Sequence, residues 1–375
     1  MSSVYIHIPF CEHICYYCDF NKVFLEGQPV DRYVDLLIRE MEMVTGKQEL
    51  EPIDTVFVGG GTPTTLNEKQ LARLCTAIHR LLPLRENAEF SFEANPGDLS
   101  LEKIQVLKDH GVNRISMGVQ SFNNELLKKI GRIHTTKDVY QSVDNLRKIG
   151  LDNVSIDLIF SLPTQTFADF KDTLTQALDL DLPHYSAYSL IIEPKTIFYN
   201  LMQKGQLILP KQEIEANMYD TLMNEMEKHG RRQYEISNFA KPGFESRHNI
   251  VYWSNEHYYG FGAGAHGYLG EQRYSNFGPI KKYMEPLENG ELPVFQSRVL
   301  PLQEKMEEEM FLGLRKVDGV SKAHFLQKFG QNLNDVFPHA IEKTLAEGLL
   351  YENEERIALT RDGRFLGNNV FQEFI

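Results

Sequence analysis

Cys11, Cys15 and Cys18 fall within eight residues near the N-terminus, in the spacing CxxxCxxC. Three thiolates can hold three irons of a four-iron cluster and leave the fourth iron open to a small molecule, whereas four ligands would close the site. A structural zinc site is the competing reading, with His7, His13 or Asp19 completing the set. Zinc favours paired CxxC knuckles and a second ligand pair, which this sequence lacks. The remaining cysteine, Cys75, shares an apolar helix face with Leu71, Leu74 and Ile78 and reads as a small core hydrophobe.

Other residues suited to binding recur at the ends of predicted strands. Gly59-Gly60-Gly61-Thr62-Pro63 follows the stretch Thr55–Val58; a glycine run lets backbone amides approach a ligand, and no Gly-Lys-Ser/Thr follows to make it a P-loop. In the third strand Phe90, Phe92 and Ala94 alternate with Ser91, Glu93 and Asn95. Gln120 ends the fourth strand, and Ser155 and Asp157 share a face of the fifth. One such residue is usually a solvated or internally bonded polar group. Four successive strands delivering polar groups to one end point to a pocket there. Further on, His248-Asn249-Ile250-Val251-Tyr252-Trp253 offers an imidazole beside two aromatics, one of them the only tryptophan. His248 is a candidate axial ligand to heme iron, with Tyr252 and Trp253 against the porphyrin face; the alternative is a hydrogen-bonded structural histidine. His257 and His266 are alternative ligands, and the glycine-rich run Gly260–Gly267 either approaches a ligand or serves as a flexible connector.

The elements that must position these groups alternate regularly. Strands at Val4–Phe10, Thr55–Val58, Phe90–Ala94, Arg114–Val119, Val154–Phe160 and Tyr185–Ile192 are separated by amphipathic helices, and His110–Ser116 faintly repeats as Ile149–Ser155. The order predicts an α/β fold, a partial parallel (β/α)6-type barrel within residues 1–240. Residues 241–299 read as a connecting segment that carries the histidine motif. Residues 300–375 follow the helix, helix, helix, hairpin order of a helical, winged-helix-like module. That module holds 9 Lys/Arg against 13 Asp/Glu, which favours packing over DNA reading.

Composition narrows the class. The 375 residues are 42% hydrophobic and 24% charged, with net charge -13, which disfavours general affinity for nucleic acid or an anionic membrane. There is no secretory signal and no apolar run long enough for a membrane span. Few cysteines, mostly clustered, fit a reducing cytoplasm.

With these motifs in view, the sequence resembles the radical SAM superfamily over essentially its whole length. It is most similar to the branch that holds the oxygen-independent coproporphyrinogen III dehydrogenase and the HemW heme chaperones. The resemblance implies a [4Fe-4S] cluster on Cys11, Cys15 and Cys18, whose open iron chelates S-adenosylmethionine and whose electron cleaves the sulfonium. It further implies S-adenosylmethionine contacts at Tyr5, Tyr17, Gly60, Gly61, Thr62, Glu93, Gln120, Arg132 and Asp157, Arg132 being suited to a carboxylate. Two departures separate this chain from the dehydrogenase. Phe20 stands where that enzyme has a further cysteine, and only ten residues precede the first cysteine. The HNxxYW pattern at His248 points the same way, toward heme binding. The implied function is a heme chaperone that delivers heme to apo-hemoproteins, membrane-bound respiratory enzymes among them. On this reading heme is a third cofactor and the chain has no assigned catalytic residue. The alternatives are coproporphyrinogen decarboxylation, radical modification of heme, and a zinc-stabilised barrel.

Overall fold

The computed structural model describes residues 2–47 and 50–375. The first half contains β1 (Ser3–Ile8), the two-residue strands β2 (Phe10–Cys11) and β3 (Val23–Phe24), then β4 (Ile53–Gly60), β5 (Leu84–Ala94), β6 (Arg114–Gln120), β7 (Val154–Phe160) and β8 (His184–Ser189). Strands β1, β4, β5, β6, β7 and β8 lie side by side in that order and run parallel. Parallel neighbours need crossovers, and these are the helices Val30–Thr45, Glu68–Leu81, Leu101–Asp109, Thr136–Ile149 and Phe167–Asp179.

The helices begin and end where local chemistry requires. Asn67 caps Glu68–Leu81 in a reciprocal capping box with Gln70, and Gly150 ends Thr136–Ile149 in the left-handed conformation, φ 73°. Their buried faces pack on alternate strand positions, such as Val4, Ile6 and Ile8, Phe90 and Phe92, and Ile115 and Met117, which leaves the positions between them to residues such as Tyr5, Glu93 and Asp157. Cys75 is fully buried beside Leu71, Leu74 and Ile78, and burial pushes its thiol up to about 12, so it is core as expected.

The segment 241–299, expected as a connector, instead contributes strands to the same sheet. Around it the chain forms β9 (Arg232–Glu235), β10 (Asn238–Ala240), β11 (Tyr258–Phe261), β12 (His266–Leu269), β13 (Gln272–Asn276) and β14 (Val294–Val299). Among the described residues, twelve strands form one sheet in the order β14-β13-β12-β11-β1-β4-β5-β6-β7-β8-β10-β9. β11 runs parallel to β1, Val4 opposite Tyr259 and Ile6 opposite Phe261, and β12 to β14 follow antiparallel. Strands of three to six residues carry too few alternations to be visible as a sequence pattern.

Residues after 300 build their own core around Met310, Phe325, Ile357 and Val370. Helices Leu302–Gly313, Lys322–Phe329 and Pro338–Ala346 precede the hairpin of β16 (Leu350–Glu352) and β17 (Arg356–Leu359), with β15 (Val320–Ser321) pairing on β17. This is the winged-helix order. The expected single last helix is two, Arg361–Phe365 and Gly367–Gln372. The module is tied to the barrel by backbone bonds from Ile236 N to Arg315 O (3.1 Å) and from Val317 N to Tyr234 O (3.0 Å).

Candidate functional site

The cysteine loop leaves the C-terminal end of β1 and is pinned on both sides. Gly61 N donates to Ile8 O and Thr62 N to Phe10 O, both at 2.8 Å, while Val23 N donates to Pro9 O and Leu25 N to Cys11 O. On the far side, Tyr16 N donates to Ile130 O and Phe198 N to Tyr16 O, both at 3.0 Å. Tyr16 and Tyr17 pack on a small apolar cluster that includes Leu127, Ile130, Ile159 and Phe198. The glycines of the neighbouring loop are required by contact. Gly60 has φ +117°, and a Cβ there would stand 2.4 Å from the His7 ring. A Cβ on Gly61 would stand 2.7 Å from Phe10 O and 3.0 Å from Cys11 Sγ. The glycine run therefore serves the approach of this loop to the cysteines.

The three thiols are free, and each has a distinct donor or cation nearby. Thr62 Oγ1 donates to Cys11 Sγ at 3.7 Å, Arg132 Nη1 donates to Cys15 Sγ at 3.4 Å, and the Lys22 ammonium, bonded to Cys18 O, sits beside the Cys18 thiol. Burial pushes Cys11 up to about 11 and raises Cys18. Thiolates here need positive charge or metal to offset desolvation. A bond chain joins two of the cysteines: Arg132 Nη2 donates to Asn95 Oδ1 (2.9 Å), Asn95 Nδ2 to Thr62 Oγ1 (2.9 Å), and Thr62 to Cys11. Arg132 also bonds Gly118 O, while its Nε is buried without a partner. Soft thiolate donors with outer-shell hydrogen bonds are the donor set of an iron–sulfur cluster, and the residues present fit one. Once bound, it would supply an open iron and an electron.

The polar strand ends converge on the same end of the sheet. Glu93 Oε2 accepts from Gly60 N at 2.9 Å, and burial, then the neighbouring Asp157, pushes its carboxyl up to about 7. Burial likewise raises Asp157, against hydrogen bonds from Ser186 and Ser116. Two buried carboxyls that resist ionisation together would be relieved by a cationic ligand. Gln120 adopts φ 65° where the register between β6 and β7 shifts. A Cβ on Gly118 would lie 2.9 Å from Gln120 Nε2 and 3.0 Å from Arg132 Nη2, so both side chains lie over Gly118. Tyr17 hydrogen-bonds Cys15, and burial holds its hydroxyl well above the usual range. Tyr5 Oη bonds His7 Nδ1 at 3.0 Å.

Two hollows open at this end. The smaller, about 30 Å³, is lined by Cys15, Asn95, Asp98, Arg132 and His134. The larger, about 350 Å³, is lined by Tyr5, Phe20, Glu93, Tyr252, Tyr258 and His266, among others. Phe20 is 66% exposed at its lip.

The histidine motif is placed differently from its simplest reading. His248 lies on the short helix Arg247–Trp253, buried to 1% exposure, with Nδ1 bonded to Thr55 Oγ1 (2.8 Å) and Nε2 to Tyr252 Oη (2.9 Å). Burial lowers it to about 3. Trp253 packs under Arg315, 5.1 Å from guanidinium to ring centroid, at the junction with the C-terminal module. Sequence reasoning missed Asn95 as the link between Arg132 and Thr62. It also missed Asn21, whose amide donates to Ala263 O (2.8 Å) and Gly278 O (3.0 Å) and fastens the turn after β11 to the cysteine loop. The only local signal was an Asn at a strand end and another three residues past the last cysteine.

Comparison with known proteins agrees with this geometry. Residues 5–177 match the Radical SAM superfamily and residues 300–366 the HemN C-terminal domain. The chain is 53% identical over 376 residues to the heme chaperone HemW of Bacillus subtilis (strain 168), covering 100% of this chain and 99% of that one. It is 32% identical to the HemW of Escherichia coli (strain K12), covering 100% and 98%. The fold superposes on coproporphyrinogen III oxidase (HemN) from Escherichia coli, a radical SAM enzyme, with TM-score 0.87 at 24% identity, covering 100% of this chain and 89% of that one. Clustered thiols with separate donors, a polar strand-end pocket and full-length relatives agree: the chain belongs to the HemW family within the radical SAM superfamily.

Proposed function

We propose that this chain is a cytoplasmic heme chaperone that binds heme and passes it to apo-hemoproteins, membrane-bound respiratory enzymes among them. The observation that carries the reading is the larger cavity: aromatic walls of Tyr252 and Tyr258, an exposed Phe20 at the lip, and His266 on the rim, next to the cysteine loop. A flat, largely apolar macrocycle with a metal centre suits such a lining. S-Adenosylmethionine would be held by Tyr5, Tyr17, Gly60, Gly61, Thr62, Glu93, Gln120, Arg132 and Asp157, of which Tyr5, Gly60 and Glu93 also line the larger cavity, so the two ligands would share that wall. Among the described residues no helix is long and apolar enough to cross a membrane, so contact with a membrane-bound acceptor would be by docking.

The test uses the full chain, purified without oxygen and reconstituted with iron and sulfide. It is titrated with hemin and, separately, with coproporphyrinogen III plus S-adenosylmethionine and a reductant. Stoichiometric hemin uptake without a divinyl product is expected. Turnover of coproporphyrinogen would replace the chaperone reading with the dehydrogenase one.

A further inference from the structure

Heme iron takes a neutral imidazole nitrogen whose lone pair faces open space. Few of the histidines near this end of the sheet meet that requirement. His7 lines the large cavity, but its Nδ1 is bonded to Tyr5 Oη and its Nε2 to Asn21 O at 2.7 Å. His248 is buried with both nitrogens engaged by Thr55 and Tyr252. His257 lines neither hollow, and its Nε2 is bonded to Gly270 O at 3.0 Å. His13 and His134 line the small hollow around Arg132.

His266 differs on every count. It lines the large cavity and is exposed, and among the described residues its ring nitrogens have no hydrogen-bond partner. Partial burial, then the nearby Arg273, lowers its pKa, which favours the neutral ring. Its backbone is fixed: it opens β12, paired with Ser275, and the preceding turn is clamped by Asn21 on Ala263 O and by Glu40 accepting from Gly262 N at 2.9 Å. A ligand on a rigid strand is held better than one on a free loop.

We infer that His266 is the axial ligand to heme iron in this chain, and that His248 is a positioning residue that holds Tyr252 against the cavity. Tyr252 in turn meets Tyr258 edge-on, ring centroids 4.7 Å apart at 87°, so one buried imidazole orders two cavity-wall aromatics. The HNxxYW motif then shapes the site without touching iron. The assignment rests on the heme-binding reading above.

The experiment titrates reconstituted full-length protein with hemin and follows absorption and paramagnetic resonance spectra in the unsubstituted chain and in His266→Ala, His248→Gln and His257→Ala. Cluster content serves as the folding control. His266→Ala is expected to lose the histidine-ligated signature and to weaken hemin by at least about tenfold, the smaller cost of losing even an outer-shell partner. Added imidazole should restore the signature. His248→Gln should weaken hemin while leaving the ligand signature in place, and His257→Ala should change neither. An unaltered spectrum in His266→Ala, or loss of the signature in His248→Gln or His257→Ala instead, overturns the assignment. Absence of hemin uptake by the unsubstituted chain would sink the chaperone reading itself, which separates the two failures.

Discussion

The two hollows at the C-terminal end of the sheet are neighbours with opposite character. Around Arg132 the space is about 30 Å³ and nearly every polar atom is bonded: guanidinium to Cys15, Asn95 and Gly118, amide to Thr62, hydroxyl to Cys11. Around His266 the space is about 350 Å³, walled by Tyr5, Tyr252 and Tyr258 with Gly60 and Glu93 on one side, and among the described residues the imidazole has no hydrogen-bond partner. A bonded, charged network is preorganised for a small polar group and loses little on binding it. A roomy aromatic cavity tolerates a large flat ligand and contributes mainly apolar contact. One sheet end thus presents two recognition chemistries, and Gly60 and Glu93, bonded to each other, both belong to the larger space.

The most severe way to break the contrast is Cys15→Ala. It removes the sulfur that Arg132 contacts and one of three thiolates. We expect loss of the visible cluster absorption and of S-adenosylmethionine cleavage, with hemin uptake largely retained. If hemin uptake disappears too, the two hollows are one site. Next in size is Arg132→Lys, which loses the planar fork that reaches Cys15, Asn95 and Gly118 together. S-Adenosylmethionine affinity should fall by about 10- to 100-fold, by analogy with outer-shell losses at metal sites, while hemin affinity is unchanged. Calorimetric titration of each ligand distinguishes this from a general loosening.

A smaller effect concerns the scaffold of the large cavity. Glu40 is buried beneath the β11–β12 turn, accepting from Tyr283, Asn276 and Gly262, yet burial pushes it up to about 7. The sign follows from proton uptake. Between its ordinary range near 4.5 and about 7, the unfolded chain has released this proton and the folded chain retains it. Stability contributed by this group therefore falls as pH rises through that window and levels off above it. Glu40→Gln should flatten that slope and stabilise the protein at pH 8 relative to the unsubstituted chain, by on the order of 1–3 kcal/mol. Urea midpoints at pH 5 and pH 8 measure it; an unchanged slope would show that Glu40 is ionised throughout.

The least costly change is Tyr252→Phe. It removes the hydroxyl bonded to His248 Nε2 but keeps the ring. A cost of about 1–3 kcal/mol in stability is expected from the unpaired buried nitrogen, with the heme-iron ligand signature intact. Loss of that signature would move the ligand from His266 to the motif.

Much of this was legible in the chain and some was not. The six parallel strands and their helices follow from apolar periodicity and helix-stop glycines such as Gly150, and the structure has them in the expected order. The strands from β9 to β14 were not legible, because three to six residues carry little pattern and their partners are distant. Arg132 reads locally as a loop charge. It is a site residue because it meets Cys15, 117 positions away.

By itself the sequence determined what lies within one loop or one helix: three thiols at cluster spacing, an aromatic at position 20 in place of a further cysteine, and helix faces that must be buried. Those properties depend on neighbours a few residues apart, where covalent geometry limits the possibilities. Only the tertiary structure decided that β11 would lie beside β1, bringing His266 to the cavity rim, while the packing of helix Arg247–Trp253 against β4 withdrew His248 from solvent. Which distant side chains share a site is set by strand register and burial, and neither is written in local spacing.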